Sequence, residues 1–391
     1  MSIEARGKKV IAQGCLTNSK HPDRFSVFVP PYVMEGYGEY LIEEDGTKWI
    51  DYVAGLGSCH FGYGIEKIAN EQIKHIYKGG CHSLPTHAEV IASEGLQTIF
   101  PWVEKIKWVN DGSSACTAAC EISRAYTGRD WIATEGYHGW HPEQINPIAF
   151  KKHPNIFKIV DDPDDLKSWD NLAAIIIEPV MLDSSRKRID YLKKLRDKCN
   201  KTGTLLIFDE VITGLRYPKF GVSNNYGIKP DILLLGKAIG NGEKIAAICG
   251  NRQIMDCDYF CSGTYHGHYM SLITANHCFY LAKHDREFDL DRLNNESLRF
   301  IESLNHLAEG IFQLKGWGCR ASFEGEYALY HQEMAKAKAL FGPSLFINFA
   351  NVKHLDDILT ISKHVIRRIR DGKVELVGKA PTPAFSQKAR R

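Results

Sequence analysis

No apolar run in this chain reaches the roughly 18 residues that a membrane-crossing helix needs, so no span and no membrane partner is expected. The first ten residues are charged and lack the apolar stretch of a signal peptide. Charge of one sign is lacking too. The 49 Lys and Arg nearly balance the 47 Asp and Glu, a formal net of +2. That balance gives no global electrostatic case for binding nucleic acid. The basic close of the chain, 388–391, reads as a solvated tail. The eleven cysteines are odd in number and follow no zinc spacing; Cys116/Cys120 and Cys257/Cys261 are only a helical turn apart. Reduced thiols in a cytoplasmic protein are the simplest account. There is no repeat of solenoid period and no low-complexity tract.

The chain's 391 residues suit a large domain with a smaller one, since single cores stop growing at roughly 250–300 residues. The turn Asp45-Gly46, flanked by 40–42 and 48–51, predicts a hairpin. Apolar residues at helical spacing predict helices over 65–77 and 87–100. From there short apolar runs alternate with helical stretches. Strands are expected at 105–109, 173–177, 205–208 and 232–235, with helices over 113–126 and 190–201. Runs without alternation suit strands covered on both faces, which means an α/β domain with a mostly parallel sheet. Beyond about 288 a second, smaller α/β unit is predicted, with helices over 296–312, 327–340 and 354–370 and a strand at 345–349. The expected organisation is an N-terminal segment of the small domain (1–50), a large domain (51–285), a small C-terminal domain (286–375) and a flexible tail (376–391).

Ligands of such sheets bind outside the carboxyl ends of the strands, so the chemistry is sought there. Strand 105–109 runs into Asn110-Asp111-Gly112-Ser113-Ser114-Ala115, which opens a helix. Backbone N–H groups at a helix start make an anion site, although most such turns are simple caps. Strand 205–208 ends in Asp209-Glu210-Val211. A buried carboxylate needs a partner, and a protonated pyridine nitrogen would be one. Strand 232–235 ends in Gly236-Lys237-Ala238-Ile239-Gly240. A desolvated lysine there has a lowered pKa and attacks carbonyls. A lysine that holds its cofactor through a Schiff base, a carboxylate for the ring nitrogen and a phosphate seat together specify a pyridoxal 5'-phosphate (PLP) site.

These segments resemble the class III (subgroup II) PLP-dependent aminotransferases, and among them most closely the glutamate-1-semialdehyde aminomutases. The resemblance runs from about Tyr37 to Ala275. It is carried by Asp45-Gly-Thr-Lys-Trp-Ile-Asp-Tyr52, Arg124-Ala-Tyr-Thr-Gly-Arg-Asp130, Tyr137-His-Gly139, Ile177-Glu-Pro-Val180 and Leu206-Ile-Phe-Asp-Glu-Val-Ile-Thr-Gly-Leu-Arg216, with Pro230-Asp231 and Gly236-Lys-Ala-Ile-Gly240. It implies PLP-dependent transferase fold type I, with a large domain on a mostly parallel seven-stranded sheet and a small C-terminal α/β domain. It implies that Lys237 carries the cofactor and moves protons, and that Asp209 holds the pyridinium proton. Gly112 and Ser113 would bind the phosphate. Tyr137 would stack on the ring beside His138, with Val211 on the opposite face. Thr264 would reach the phosphate of a neighbouring subunit, giving a homodimer with shared sites. Arg24 and Glu178 are candidate substrate contacts, and small amines and carbonyl compounds are the expected substrates.

The chain departs from the family in places. Asp111-Gly112-Ser113 stands where Ser-Gly-Thr is usual, which sets a negative charge near a phosphate unless Asp111 points away. Met181-Leu182-Asp183 replaces the aminomutase's Ala-Gly-Asn. Only a short stretch joins Gly139 to the strand-like 157–160, so the aminomutase's long mobile loop is not expected. An aminotransferase is therefore favoured over a true aminomutase. A PLP racemase or decarboxylase would start from the same constellation. No metal is expected, because the pairs His138/His141 and His266/His268 lack an accompanying Asp/Glu–His motif. Gly55-Leu56-Gly57-Ser58-Cys59-His60 fails the dinucleotide fingerprint. Retention of both Lys237 and Asp209 argues against a non-catalytic binding protein.

Overall fold

The computed structural model describes residues 1–142, 144, 156–158 as backbone, 166 and 169–382. Most of the tail expected over 376–391 lies outside the described residues. Contacts divide the chain into a terminal unit, Met1–Ile65 with Arg292–Arg391, and a central unit, Glu66–Asp291.

The central unit is built on a seven-stranded sheet. Its order is Lys105–Val109, Ala246–Gly250, Ile232–Leu235, Leu205–Asp209, Leu172–Ile177, Trp131–Glu135, Ile156–Lys158. Ala246–Gly250 runs antiparallel to both neighbours, and every other pairing is parallel. The mostly parallel α/β sheet expected from the sequence is thus present. Leu172–Ile177, Leu205–Asp209 and Ile232–Leu235 are buried along their whole length, which is why they lack polar alternation. Each buried Ile or Leu of these strands contributes about 1.5–3 kcal/mol, against a backbone ordering cost of similar size. The strand directions bring the carboxyl ends Val109, Glu135, Ile177, Asp209 and Leu235 to one edge.

Helix Gly112–Thr127 follows the first of these ends. Asp111 caps it, accepting from the Ser114 N–H, and Gly128 closes it with φ 66°. Helix Tyr269–His284, absent from the sequence expectations, packs against both Glu66–His75 and His87–Ile99. With neighbours on two sides it has no single apolar stripe to announce it. Among the described residues no helix is long and apolar enough to cross a membrane.

In the terminal unit, Tyr40–Ile42 and Lys48–Asp51 form the expected hairpin. Asp45 turns it by accepting from the Thr47 N–H at 2.9 Å, and Gly46 supplies φ 85°. The helix expected over 296–312 is Leu290–Leu307, started by the Asp289 carboxylate, which accepts from the Asp291 N–H. Its expected last turn instead leads into strand Phe312–Trp317, which pairs with Arg320–Gly325. The helix expected to run to 340 stops at Lys336, because Lys338 adopts φ 62° and Ala339–Leu340 joins Ile50 and Asp51 as a parallel strand. The strand expected at 345–349 is Ser344–Phe346. A turn ends it, with Asn348 Oδ1 accepting from the Ala350 and Asn351 N–H groups and Asn351 Oδ1 accepting from the Asn348 N–H.

Helix Ala328–Lys336 carries His331 into a nest of rings. Phe323 lies 4.5 Å away edge-on, Tyr327 at 4.7 Å and Phe341 at 6.0 Å near-parallel. His331 is 2% exposed, and neither ring nitrogen has a hydrogen-bond partner among the described residues. Burial pushes its pKa down to about 3.

Candidate active site

Asp209 is the last residue of its strand and is buried, with 6% exposure. Its Oδ2 lies 2.8 Å from His138 Nδ1. The other ring nitrogen, His138 Nε2, lies 3.0 Å from the Glu135 carbonyl oxygen. Both nitrogens face acceptors, so only the doubly protonated imidazolium can donate to both. Burial alone would push Asp209 up and His138 down. The hydrogen bond and charge each offers the other win, so Asp209 is held below the usual carboxylate range and His138 above the usual imidazole one. A lone buried carboxylate would cost several kcal/mol; paired, it persists ionised. Asp209 Oδ1 accepts from the Val211 N–H at 3.1 Å. Cys116 adds its thiol to Oδ2 at 3.4 Å. Cys116 Sγ, His138 Nδ1 and Asp209 Oδ2 converge in the way that metal ligands do. Hydrogen bonds account for the convergence.

Lys237 follows strand Ile232–Leu235 across Gly236. Its backbone has φ 45°, in the left-handed region that costs a non-glycine residue roughly 1–2 kcal/mol. Burial lowers the pKa of its amine, Asp209 and Glu178 restore part of it, and the balance stays below the usual lysine range. A larger neutral fraction makes it a better nucleophile toward a carbonyl.

The helix start at Gly112 and Ser113 sits beside these groups. A Cβ at Gly112 would come 3.1 Å from Val211 Cγ1, and one at Gly236 would come 3.2 Å from the same atom. Val211 is thus wedged between the helix start and the residue before Lys237. Asp111 spends its carboxylate on its own helix, accepting from the Ser114 N–H at 2.9 Å and the Ser114 hydroxyl at 3.1 Å. That carboxylate is thereby turned to its own helix start, and not to the Gly112 and Ser113 backbone. Gly139 has φ 105°, and a Cβ there would stand 2.5 Å from Ser113 Oγ. Only glycine lets the Tyr137-His138-Gly139 turn lie against the helix start.

Tyr137 donates its N–H to Glu178 Oε1 at 2.8 Å. Burial, then the nearby negative charges of Asp209 and Glu178, raise the pKa of its hydroxyl. Arg188, which the sequence reading passed over, braces this corner. It donates to the Glu178 and Pro179 carbonyls at 2.9 and 2.8 Å and pairs with Glu135 at 2.7 Å. The structure therefore groups Gly112, Ser113, Tyr137, His138, Glu178, Asp209, Val211 and Lys237 at one sheet edge. Thr264 is exposed in a turn of the same unit. Arg24 belongs to the terminal unit and is 7% exposed. Its guanidinium donates to Asn18 O at 3.2 Å, Asn18 Oδ1, Thr382 O at 3.3 Å and the Thr382 hydroxyl. A group so committed is a clamp on its own neighbours.

Residues 149–370, more than half of the chain, match the family model of class-III aminotransferases. The chain belongs to the class-III aminotransferase family. A glutamate-1-semialdehyde 2,1-aminomutase of Saccharolobus islandicus is 28% identical over 382 residues, 85% of this chain and 89% of its own. Its namesake of Archaeoglobus fulgidus is 33% identical over 271 residues, 62% of this chain and 65% of its own. Among solved structures, a transaminase with PLP bound superposes with TM-score 0.84 at 21% identity, covering 95% of this chain and 97% of that one. An omega-transaminase from Sphaerobacter thermophilus gives 0.83 at 21% identity, covering 94% and 97%. The resemblance carried by the sequence motifs is borne out, and with it fold type I. This class-III aminotransferase is a PLP-dependent enzyme that moves an amino group between an amine or amino acid and a carbonyl acceptor.

The residues present fit that cofactor. An ionised, buried carboxylate at Asp209 suits a pyridinium nitrogen, and the glycine-lined start of helix Gly112–Thr127 suits a phosphate. The amine of Lys237 suits an aldehyde. When bound, PLP supplies an electron sink and a carrier for the amino group.

Proposed function

We propose that the central unit houses the amino-transfer site, with Lys237 as the covalent anchor and proton carrier. Asp209 holds the ring nitrogen, and His138 keeps Asp209 ionised. Gly112 and Ser113 bind the phosphate, while Tyr137 and Val211 enclose the ring from its two faces. Glu178 borders the substrate side, close enough to act on the charge of Lys237. The observation that carries this reading is the buried Asp209–His138 ion pair at one sheet edge, with a desolvated lysine just past the end of the adjacent strand.

The reaction is amino transfer in two half-reactions with release of the first product. Gly139 and strand Ile156–Lys158 are joined by residues 140–155, and most of that connection lies outside the described residues. Its length supports release, because a long lid helps an internal aminomutase retain its intermediate. The enzyme works as a homodimer. Support comes from large apolar side chains that the central unit leaves exposed, Ile73, Ile76, Tyr77, Leu84, Phe260 and Tyr265 among them. Large apolar side chains left in water favour association where they adjoin one another. Thr264, beside two of them in sequence, crosses to the partner's phosphate.

Borohydride reduction of the PLP-loaded enzyme followed by peptide mapping tests the anchor. The label is expected on Lys237, and label on any other lysine refutes the assignment. A single turnover with an amine donor tests the reaction. One equivalent of carbonyl product and aminated cofactor is expected. Release of carbon dioxide, or exchange of the α-proton with the amine unchanged, would identify a decarboxylase or racemase instead.

A further inference from the structure

Cys116 is the least expected neighbour of the cofactor carboxylate. It lies on helix Gly112–Thr127, four residues beyond Gly112 and so on the same helix face. It is 1% exposed, and its Sγ is 3.4 Å from Asp209 Oδ2. The two carboxylate oxygens are used unequally. Oδ2 takes both the His138 imidazolium and the Cys116 thiol. Among the described residues Oδ1 takes the Val211 N–H, which leaves it a lone pair for one further donor.

We infer that Cys116 is a positioning residue, whose thiol donates to Asp209 Oδ2 and turns Oδ1 toward the ring nitrogen of PLP. This rests on the aminotransferase reading above. The thiol stays protonated, because burial and the adjacent Asp209 charge both oppose thiolate. It is therefore a donor and not a second anion. The charged and titratable groups acting on Asp209 are His138, Lys237, Tyr137 and Cys116 itself. Each donor to the carboxylate makes it a weaker base, so the shared proton rests on the ring nitrogen and not on Asp209. Helix Gly112–Thr127 thereby serves both ends of the cofactor. Its first residue meets the phosphate, and a residue about 6 Å further along its axis holds the carboxylate that meets the nitrogen.

The test uses the holoenzyme reconstituted with PLP labelled with nitrogen-15 in the ring, in the parent and in Cys116→Ser, Cys116→Ala and Cys116→Val. The ring-nitrogen chemical shift reports where the proton rests, and equilibrium dialysis gives PLP affinity. Serine keeps a donor of similar size and should reproduce the parent shift. Alanine and valine should both move the shift from the pyridinium toward the neutral pyridine position and weaken PLP binding about fivefold, the weight of one hydrogen bond. Because alanine empties the site and valine fills it, a change common to both follows the donor and not the volume. Should valine prevent folding, the serine and alanine pair decides. Unchanged shifts in alanine and valine, or an equal change in serine, overturn the assignment. A parent that takes up no PLP overturns it together with the aminotransferase reading, whereas a normal parent with insensitive variants overturns the Cys116 role alone.

Discussion

Replacing His331 with leucine should flatten the acid side of the terminal unit's stability curve. His331 is buried in aromatic rings without a hydrogen-bond partner among the described residues, and its pKa is pushed from the usual 6.5 to about 3. Between those values the unfolded chain binds a proton that the folded one refuses. Stability from this group is therefore whole above pH 6.5, falls as pH falls, and is fully lost below about pH 3. The slope is about 1.4 kcal/mol per pH unit, which makes the loss about 2 kcal/mol at pH 5 and about 3 kcal/mol at pH 4. Leucine has no proton to bind in either state. The parent and His331→Leu should thus differ little in pH dependence above pH 7 and diverge by about 2 kcal/mol on going from pH 8 to pH 5. Hydrogen exchange of peptides covering helix Ala328–Lys336, measured across a urea series at each pH, reads the unit that holds the residue. A stability gap between the two proteins that is the same at pH 8 and pH 5 would refute the buried, neutral imidazole.

Asp209→Asn should leave a folded protein whose turnover is down by orders of magnitude, because an amide cannot hold a pyridinium; near-parent turnover in steady-state assays would assign the task to another group. His138→Leu should lower the stability of the PLP-free protein by about 3–5 kcal/mol in thermal melts, since it strands a buried carboxylate. His138→Gln should lose less, because its amide still donates; equal losses would mean that packing, and not the bond to Asp209, matters at this position. Mixing Lys237→Ala with Thr264→Ala subunits should give hybrid dimers in which one site carries both lesions and the other neither. Activity above the mean of the two parents is the expected result, and a fully active monomer in sedimentation would exclude shared sites.

Much of the catalytic unit was legible because its strands advertise themselves. Leu172–Ile177, residues 205–208 and Ile232–Leu235 are unbroken apolar runs, and the candidate groups stand at or just past their ends. Ala246–Gly250 was silent. Its Ala-Ala-Ile-Cys-Gly composition carries little strand preference, and burial between two neighbouring strands decides its state. Trp131–Glu135 was missed likewise, its Thr and Glu breaking the apolar run. At the site, Asp209 and Lys237 stand out only as a pair on successive strand ends, and the family resemblance gives them their roles. The bonds that tune them could not be read, since Cys116 and His138 lie 93 and 71 residues from Asp209 along the chain. Arg188 hid in a basic helix, and only the fold shows that it braces Glu178 and Pro179.

The left-handed backbone at Lys237 has a consequence for anyone evolving this enzyme. At φ 45° glycine is the residue the main chain prefers, and a lysine is held there against that preference. In the PLP-free protein Lys237→Gly would relieve the main chain and remove the amine in the same step. A stabilisation campaign must therefore fix Lys237 by design, or couple every thermal selection to turnover, because survival of the fold and survival of the catalyst pull this residue in opposite directions.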